Sequence, residues 1–294
     1  MEQLLQQLIN GLSIGSIYAL IALGYTMVYG IINLINFAHG DIYMIGAYVG
    51  FALTTFLHLG FFPSLLISMV VCGVLGVVIE KVAYKPIRNS TRIAALITAI
   101  SVSLFLEYVM MYFVKSDART FPEVLPNKQL TFLGDKVTLD IKNIYIMVIT
   151  VVLMLLLQYI VRKTKTGKAM RAVALDREAA QLMGINVNKT ISYTFALGSA
   201  LAGAAGVLVG IYYNSIDPLM GIIPGLKAFI AAVIGGIGII PGAVFGGLFL
   251  GMTETVVSAY GGSVFRDAVA FTVLIIILLV KPNGLLGKKL QEKV

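Results

Sequence analysis

The chain has 294 residues, 59% of them hydrophobic and only 12% charged, with a mean hydropathy of +0.93. A soluble domain carries about 25% charged residues, so this composition excludes an ordinary soluble domain and predicts an all-α polytopic membrane protein. The net charge of +8 does not mark a nucleic-acid binder, because the basic residues sit in short connections between apolar runs.

Runs able to cross the hydrocarbon as helices of about 17–25 residues lie near 11–32, 41–59, 63–82, 93–114, 144–161, 191–213, 226–240, 243–260 and 264–280. Several are short or interrupted, which predicts about eight or nine crossings in a single transmembrane domain, 1–294. No basic residue precedes Lys81. A cleaved secretory signal would carry a basic n-region, so the first run reads as a retained span. Either three crossings or two and a re-entrant segment precede Lys81, and the side of the N-terminus stays open with that choice.

Between the first two runs stands NLINFAHGD (33–41). Polar groups at membrane depth are costly and usually line a path for water or substrate. On one continuous helix Asn33, Asn36 and His39 would share a face while Asp41 pointed away. A break near Ala38–Gly40 resolves this, with Asp41 near the N-terminus of the following helix as cap or ligand. Asn36 and His39 read as pathway lining or structural hydrogen bonding. No zinc spacing relates His39 to His58 or Cys72, and Cys72 reads as a buried packing thiol.

Small residues recur at four-residue spacing: Gly11 and Gly15, Gly46 and Gly50, Ala202, Gly206 and Gly210, Gly242 and Gly246, Gly247 and Gly251. This is how helices approach closely in lipid. Segment 81–92 has four basic residues and no acid, 162–189 has seven against two, and the tail from Lys281 has four against one. All three therefore read as cytoplasmic. The near-balanced 115–142 reads as exterior, with alternation around Gly134-Asp135 suggesting a hairpin or a solvated connector. Glu107 and Glu254 fall mid-span as further pathway candidates, and Lys227 reads as snorkelling to an interface. GGIG followed by Pro241-Gly242 predicts a second interrupted helix, a known way to build a polar site in a membrane.

The loop TKTGKAMRAVALDREAAQLMGINVNKT (164–190) has a helix-like centre, with Asp176 as cap and Gly184 as terminator. Glu178-Ala179-Ala180 with Gly184 resembles the EAA…G coupling element of bacterial ABC-importer permeases. GSIYALIALGYTMVYGIINLINFAHGDIYMIGAY, EKVAYKPIR, LMGINV, GLKAFIAAVIGGIG with PGA, and KPNGLLG together resemble branched-chain amino-acid permeases of the LivH type, in order from about Gly11 to Gly287. The resemblance implies an ABC-importer permease fold in the bacterial inner membrane. It also implies a second, LivM-like permease, two cytoplasmic ATPases that hold ATP and Mg, and a periplasmic binding protein. Arg177, Glu178, Ala179, Ala180 and Gly184 would then couple to the ATPase. No cofactor is expected on this chain itself, which lacks a G-x-x-x-x-G-K-[ST] phosphate loop; nor does it show a triad or paired-carboxylate motif, so it is expected to transport rather than catalyse. Permeases for urea and short amides share this layout, and a stand-alone ion-coupled transporter using Asp41, Glu107 or Glu254 is the rival from another class.

Overall fold

With no water in hydrocarbon to satisfy peptide groups, a spanning chain closes its hydrogen bonds inside helices. The computed structural model describes residues 2–32, 36–88, 90–126, 128–132 and 137–287. Its helices are α1 (Glu2–Ile32), α2 (His39–Thr55), α3 (Phe61–Ile79), α4 (Lys85–Ile87), α5 (Arg92–Val114), α6 (Ile141–Lys163), α7 (Lys165–Leu175), α8 (Arg177–Leu182), α9 (Val187–Tyr213), α10 (Ile222–Gly235), α11 (Ile240–Tyr260) and α12 (Phe265–Val280). A π-turn, Glu80–Tyr84, joins α3 to α4.

Every apolar run of the sequence is mainly helical, with 56–59 and 236–239 the non-helical parts of the second and seventh. Six helical stretches are long and apolar enough to cross a membrane: α1, α3 continued through α4, α5, α6, α9 and α11. Helices α2, α10 and α12 are shorter, at 17, 14 and 16 residues. Pro241 opens α11 instead of breaking it, and the interruption lies just before, at 236–239. Proline is well suited to a first helical turn, where its missing N–H has no partner to lose.

The two ends of the bundle are distinct. Gln6 exchanges two hydrogen bonds of 2.9 Å with the backbone of Thr138, which places the start of α1 beside the hairpin. At the other end of α1, Arg177 donates to the carbonyls of Ile31 and Ile32 at 3.3 and 3.0 Å. Helix α1 therefore runs from the hairpin end to the basic end. Helix α2 starts partway back, with His39 against Gly24, and reaches the hairpin end, where Phe51 meets Phe121. Helix α3 returns to the basic end. Three helical passes thus precede the first basic loop.

The hairpin pairs β2 (Gln129–Phe132) with β3 (Val137–Asp140), Leu130 opposite Leu139; the Gly134-Asp135 turn lies outside the described residues. A second short pair, β1 (Arg119–Thr120) with β4 (Ser215–Ile216), ties this loop to the end of α9.

Helices α1 and α9 form the centre: 89% and 83% of their most apolar windows are buried, against 22% for α5 and α6. The small-residue spacing explains how. A side chain at Gly11, Gly15, Gly247 or Gly251 would strike the facing backbone of α11 or α1, and one at Gly46 would strike Gly203 of α9. Gly242 and Gly246 meet Gly235 and Ala231 of α10 in the same way. Cys72 is buried against Ile42 and Gly203 as a packing thiol.

Candidate functional site

At the basic end, Asp176 Oδ1 accepts from the amides of Glu178 (2.9 Å) and Ala179 (3.0 Å) and so starts α8. The helix ends in paired bonds, Ile185 N to Ala180 O and Gly184 N to Gln181 O, with Gly184 at φ +81°. This is the Schellman arrangement, which needs a left-handed residue. Only Ala180 of α8 is buried. Leu175, Leu182 and Met183 are 89%, 89% and 82% exposed, beside exposed Glu178 and Ala179. The residues form a small, rigid, partly apolar knob. Arg177 is not displayed with them, since its guanidinium is spent on the last carbonyls of α1; burial lowers its pKa, and nearby Arg88 adds to this. Arg171 likewise donates inward, to the carbonyl of Val161.

In the interior, the break comes before His39, with 36–38 non-helical and Gly40 already inside α2. Asn36 accepts from the Tyr84 hydroxyl at 2.7 Å, while its amide nitrogen has no partner among the described residues. His39 fills the space beside Gly24 and packs on Tyr25, with ring centroids 4.7 Å apart; neither ring nitrogen makes a hydrogen bond in good geometry. Asp41 caps nothing: it accepts from Ser103 at 2.5 Å and faces Glu107, so α5 is joined to α2 by two carboxyl groups and a hydroxyl. Gly40 packs against Gly221 and Gly225, which brings the starts of α2 and α10 together.

A cavity of about 690 Å³ opens near the hairpin end, lined among others by Tyr18, Tyr43, Tyr213, Asp217, Lys227 and Arg266. At its base is a cluster of four charges. Lys227, 3% exposed, stands 3.0 Å from Glu254 and 2.7 Å from Asp267, while Arg266 Nε donates to Glu254 at 3.0 Å. Tyr18 also donates to Glu254, at 3.0 Å. Among the described residues no group of three or more His, Cys, Asp or Glu could hold a metal ion.

Residues 7–278 match the family model described as branched-chain amino acid transport system, permease component. The chain is 43% identical to the high-affinity branched-chain amino acid transport system permease protein LivH of Salmonella typhimurium, over 99% of this chain and 97% of that one. It is 44% identical to the corresponding protein BraD of Pseudomonas aeruginosa, over 99% and 98%. The chain belongs to this permease family. Among solved structures, PsaBC from Streptococcus pneumoniae in complex with Fab is similar in fold, with a TM-score of 0.51 at 16% identity over 93% of this chain and 91% of that one.

In this permease the residues singled out in the sequence do not converge on one site. Glu178, Ala179, Ala180 and Gly184 share the knob, with Arg177 turned away from it. Asn36, His39, Asp41 and Glu107 are buried and mostly committed to packing or to one another, and Asn33 lies outside the described residues. Glu254 belongs to the charge cluster. Lys227 does not snorkel: it is the buried partner of Glu254, because an acid that deep needs a cation. The permease's Tyr18, Tyr43, Asp217, Arg266 and Asp267 were not singled out in the sequence. The available signal was that Lys227 and Arg266 carry the opposite sign to Glu254 within the last three apolar runs.

Proposed function

We propose that this chain is one permease subunit of an ATP-driven importer for branched-chain amino acids in a bacterial inner membrane. Its kinship with LivH and BraD over nearly its full length is the observation that carries the reading. The basic end would face the cytoplasm, which puts the start of α1, the hairpin and the 690 Å³ cavity outside. A periplasmic binding protein would deliver leucine, isoleucine or valine there. A second, LivM-like permease would complete the pathway, and two ATPase subunits, holding ATP and Mg, would supply the energy.

The knob around α8 is built for such a partner. Its cap and Schellman end fix six residues rigidly, and its exposed leucines and methionine have no internal purpose. Movement of α8 passes through Arg177 to the last carbonyls of α1, ahead of the non-helical residues 36–38 that lead to His39. A rigid-body rocking of this kind is how alternating access is driven. The buried Asp41–Glu107 pair is what an ion-coupled carrier acting alone would use instead.

The test is uptake in proteoliposomes holding the whole complex. ATP inside and leucine-loaded binding protein outside should give leucine accumulation that excess isoleucine or valine suppresses and urea does not. Accumulation driven by a proton or sodium gradient without ATP would contradict the reading, as would uptake of urea or a short amide in place of leucine.

A further inference from the structure

The hairpin-end cavity has features that transport in general does not require. Its volume of about 690 Å³ is that of a small-molecule site, roughly 300–1,000 Å³. Of the five charged groups in and under it, four satisfy one another: Lys227 with Glu254 and Asp267, and Arg266 with Glu254. Asp217 is left over. Its Oδ1 accepts from the amide of Leu219 at 2.9 Å, and it has no cationic partner among the described residues. Arg266 is also incompletely used. Its Nε is on Glu254 and its Nη2 lies at 3.3–3.5 Å from the hydroxyls of Tyr213 and Tyr18, which leaves Nη1 without a partner among the described residues. Tyr43, fully buried, also borders the cavity, and its hydroxyl bonds to nothing in the described residues. Around these polar ends, Leu219, Met220 and Ile223 supply an apolar wall, with Leu219 and Ile223 half exposed.

We propose that this cavity receives the zwitterion of an aliphatic α-amino acid, with the carboxylate on Arg266 and Tyr213, the ammonium on Asp217, and the side chain on Leu219, Met220 and Ile223. Arg266, Asp217 and the apolar wall match the three parts of such a ligand. A guanidinium with a spare N–H takes a carboxylate by a charge-assisted bond, and a half-buried carboxylate without a cation takes an ammonium. An aliphatic wall takes the hydrophobic remainder. A neutral amide can hydrogen-bond to both groups but compensates neither charge, so it is held more weakly than the zwitterion. The inference rests on the importer reading above in treating the ligand as cargo, but it can fail while that reading stands.

The experiment is photolabelling of the intact complex in nanodiscs, without binding protein, by a leucine analogue carrying a diazirine in its side chain. The label should fall in the segment 217–227. Excess L-leucine should suppress it, whereas 4-methylpentanoate, which lacks the ammonium, and 3-methylbutylamine, which lacks the carboxylate, should not. Asp217→Asn should reduce specific labelling by about tenfold, the scale of one charged hydrogen bond, and Asp217→Glu should keep most of it. Co-purification of each variant with its partners checks assembly. Labelling that leucine does not suppress, that either truncated analogue suppresses equally, that falls outside the cavity or that persists in an assembled Asp217→Asn complex overturns the site. Leucine uptake measured on the same preparation separates the two readings: uptake without specific labelling removes the site and leaves the importer.

Discussion

Gly184 holds α8 closed at φ +81°, and a Cβ placed there would meet nothing within 4 Å. Substitution therefore costs backbone strain alone, about 1–2 kcal/mol for a residue with a Cβ. Gly184→Val should speed exchange of the Ile185 amide, bonded to Ala180, by roughly five- to thirtyfold; hydrogen-exchange mass spectrometry of 177–187 reads this directly, and unchanged exchange would mean that the cap is not what orders the knob. The charge cluster makes the opposite kind of prediction, since its cost is electrostatic. Lys227→Met leaves Glu254 and Asp267 with one fewer cation, and breaking a buried pair costs about 3–5 kcal/mol. Glu254→Gln added to it should recover part of the loss, with a coupling of about 0.5–3 kcal/mol in thermal unfolding in detergent; simple additivity would contradict the pairing. At this scale the sequence was least informative. Asp176 and Gly184 were legible as the two ends of α8 because capping is local, set by residues two to five positions apart. Lys227, Glu254 and Arg266 were not legible as a cluster, because their meeting depends on how α10, α11 and α12 pack.

The helices themselves could be read almost completely, because an apolar run of spanning length has few alternatives in lipid. Their ends were harder. Helix α1 begins at Glu2, well before its apolar run, since Gln3, Gln6 and Gln7 are good helix formers and Gln6 finds a partner in Thr138. The first break, expected near Ala38–Gly40, falls at 36–38, and Gly40 lies inside α2 in contact with Gly221 and Gly225. The spacing of small residues gave the correct faces but not the partners. One prediction belongs here. Gly247→Leu would drive a side chain into the backbone of α1 at Ala19, an overpacking cost of about 1–3 kcal/mol or more. Folded yield and unfolding temperature should fall, whereas leucine at exposed Val70 should change neither; equal behaviour would mean that α1 and α11 do not pack as described.

For the whole molecule, coupling to an ATPase through α8 requires the basic end to face the cytoplasm. Cys72 is the one cysteine and is buried, so single-cysteine variants start from a silent background. A membrane-impermeant thiol reagent applied to whole cells with a permeabilised outer membrane should label Glu123→Cys in the hairpin-end loop. It should label Met183→Cys beside α8 only after the inner membrane is opened. The reverse pattern would invert the bundle and remove α8 from reach of a cytoplasmic ATPase.

The most direct measurement is purification of the tagged chain from its native membrane, followed by ATP hydrolysis with and without leucine-loaded binding protein. ATPase subunits and a second permease should co-purify, and leucine-loaded binding protein should stimulate hydrolysis in the wild type but not after Glu178→Arg. A chain that purifies alone and moves leucine on an ion gradient would contradict the importer reading.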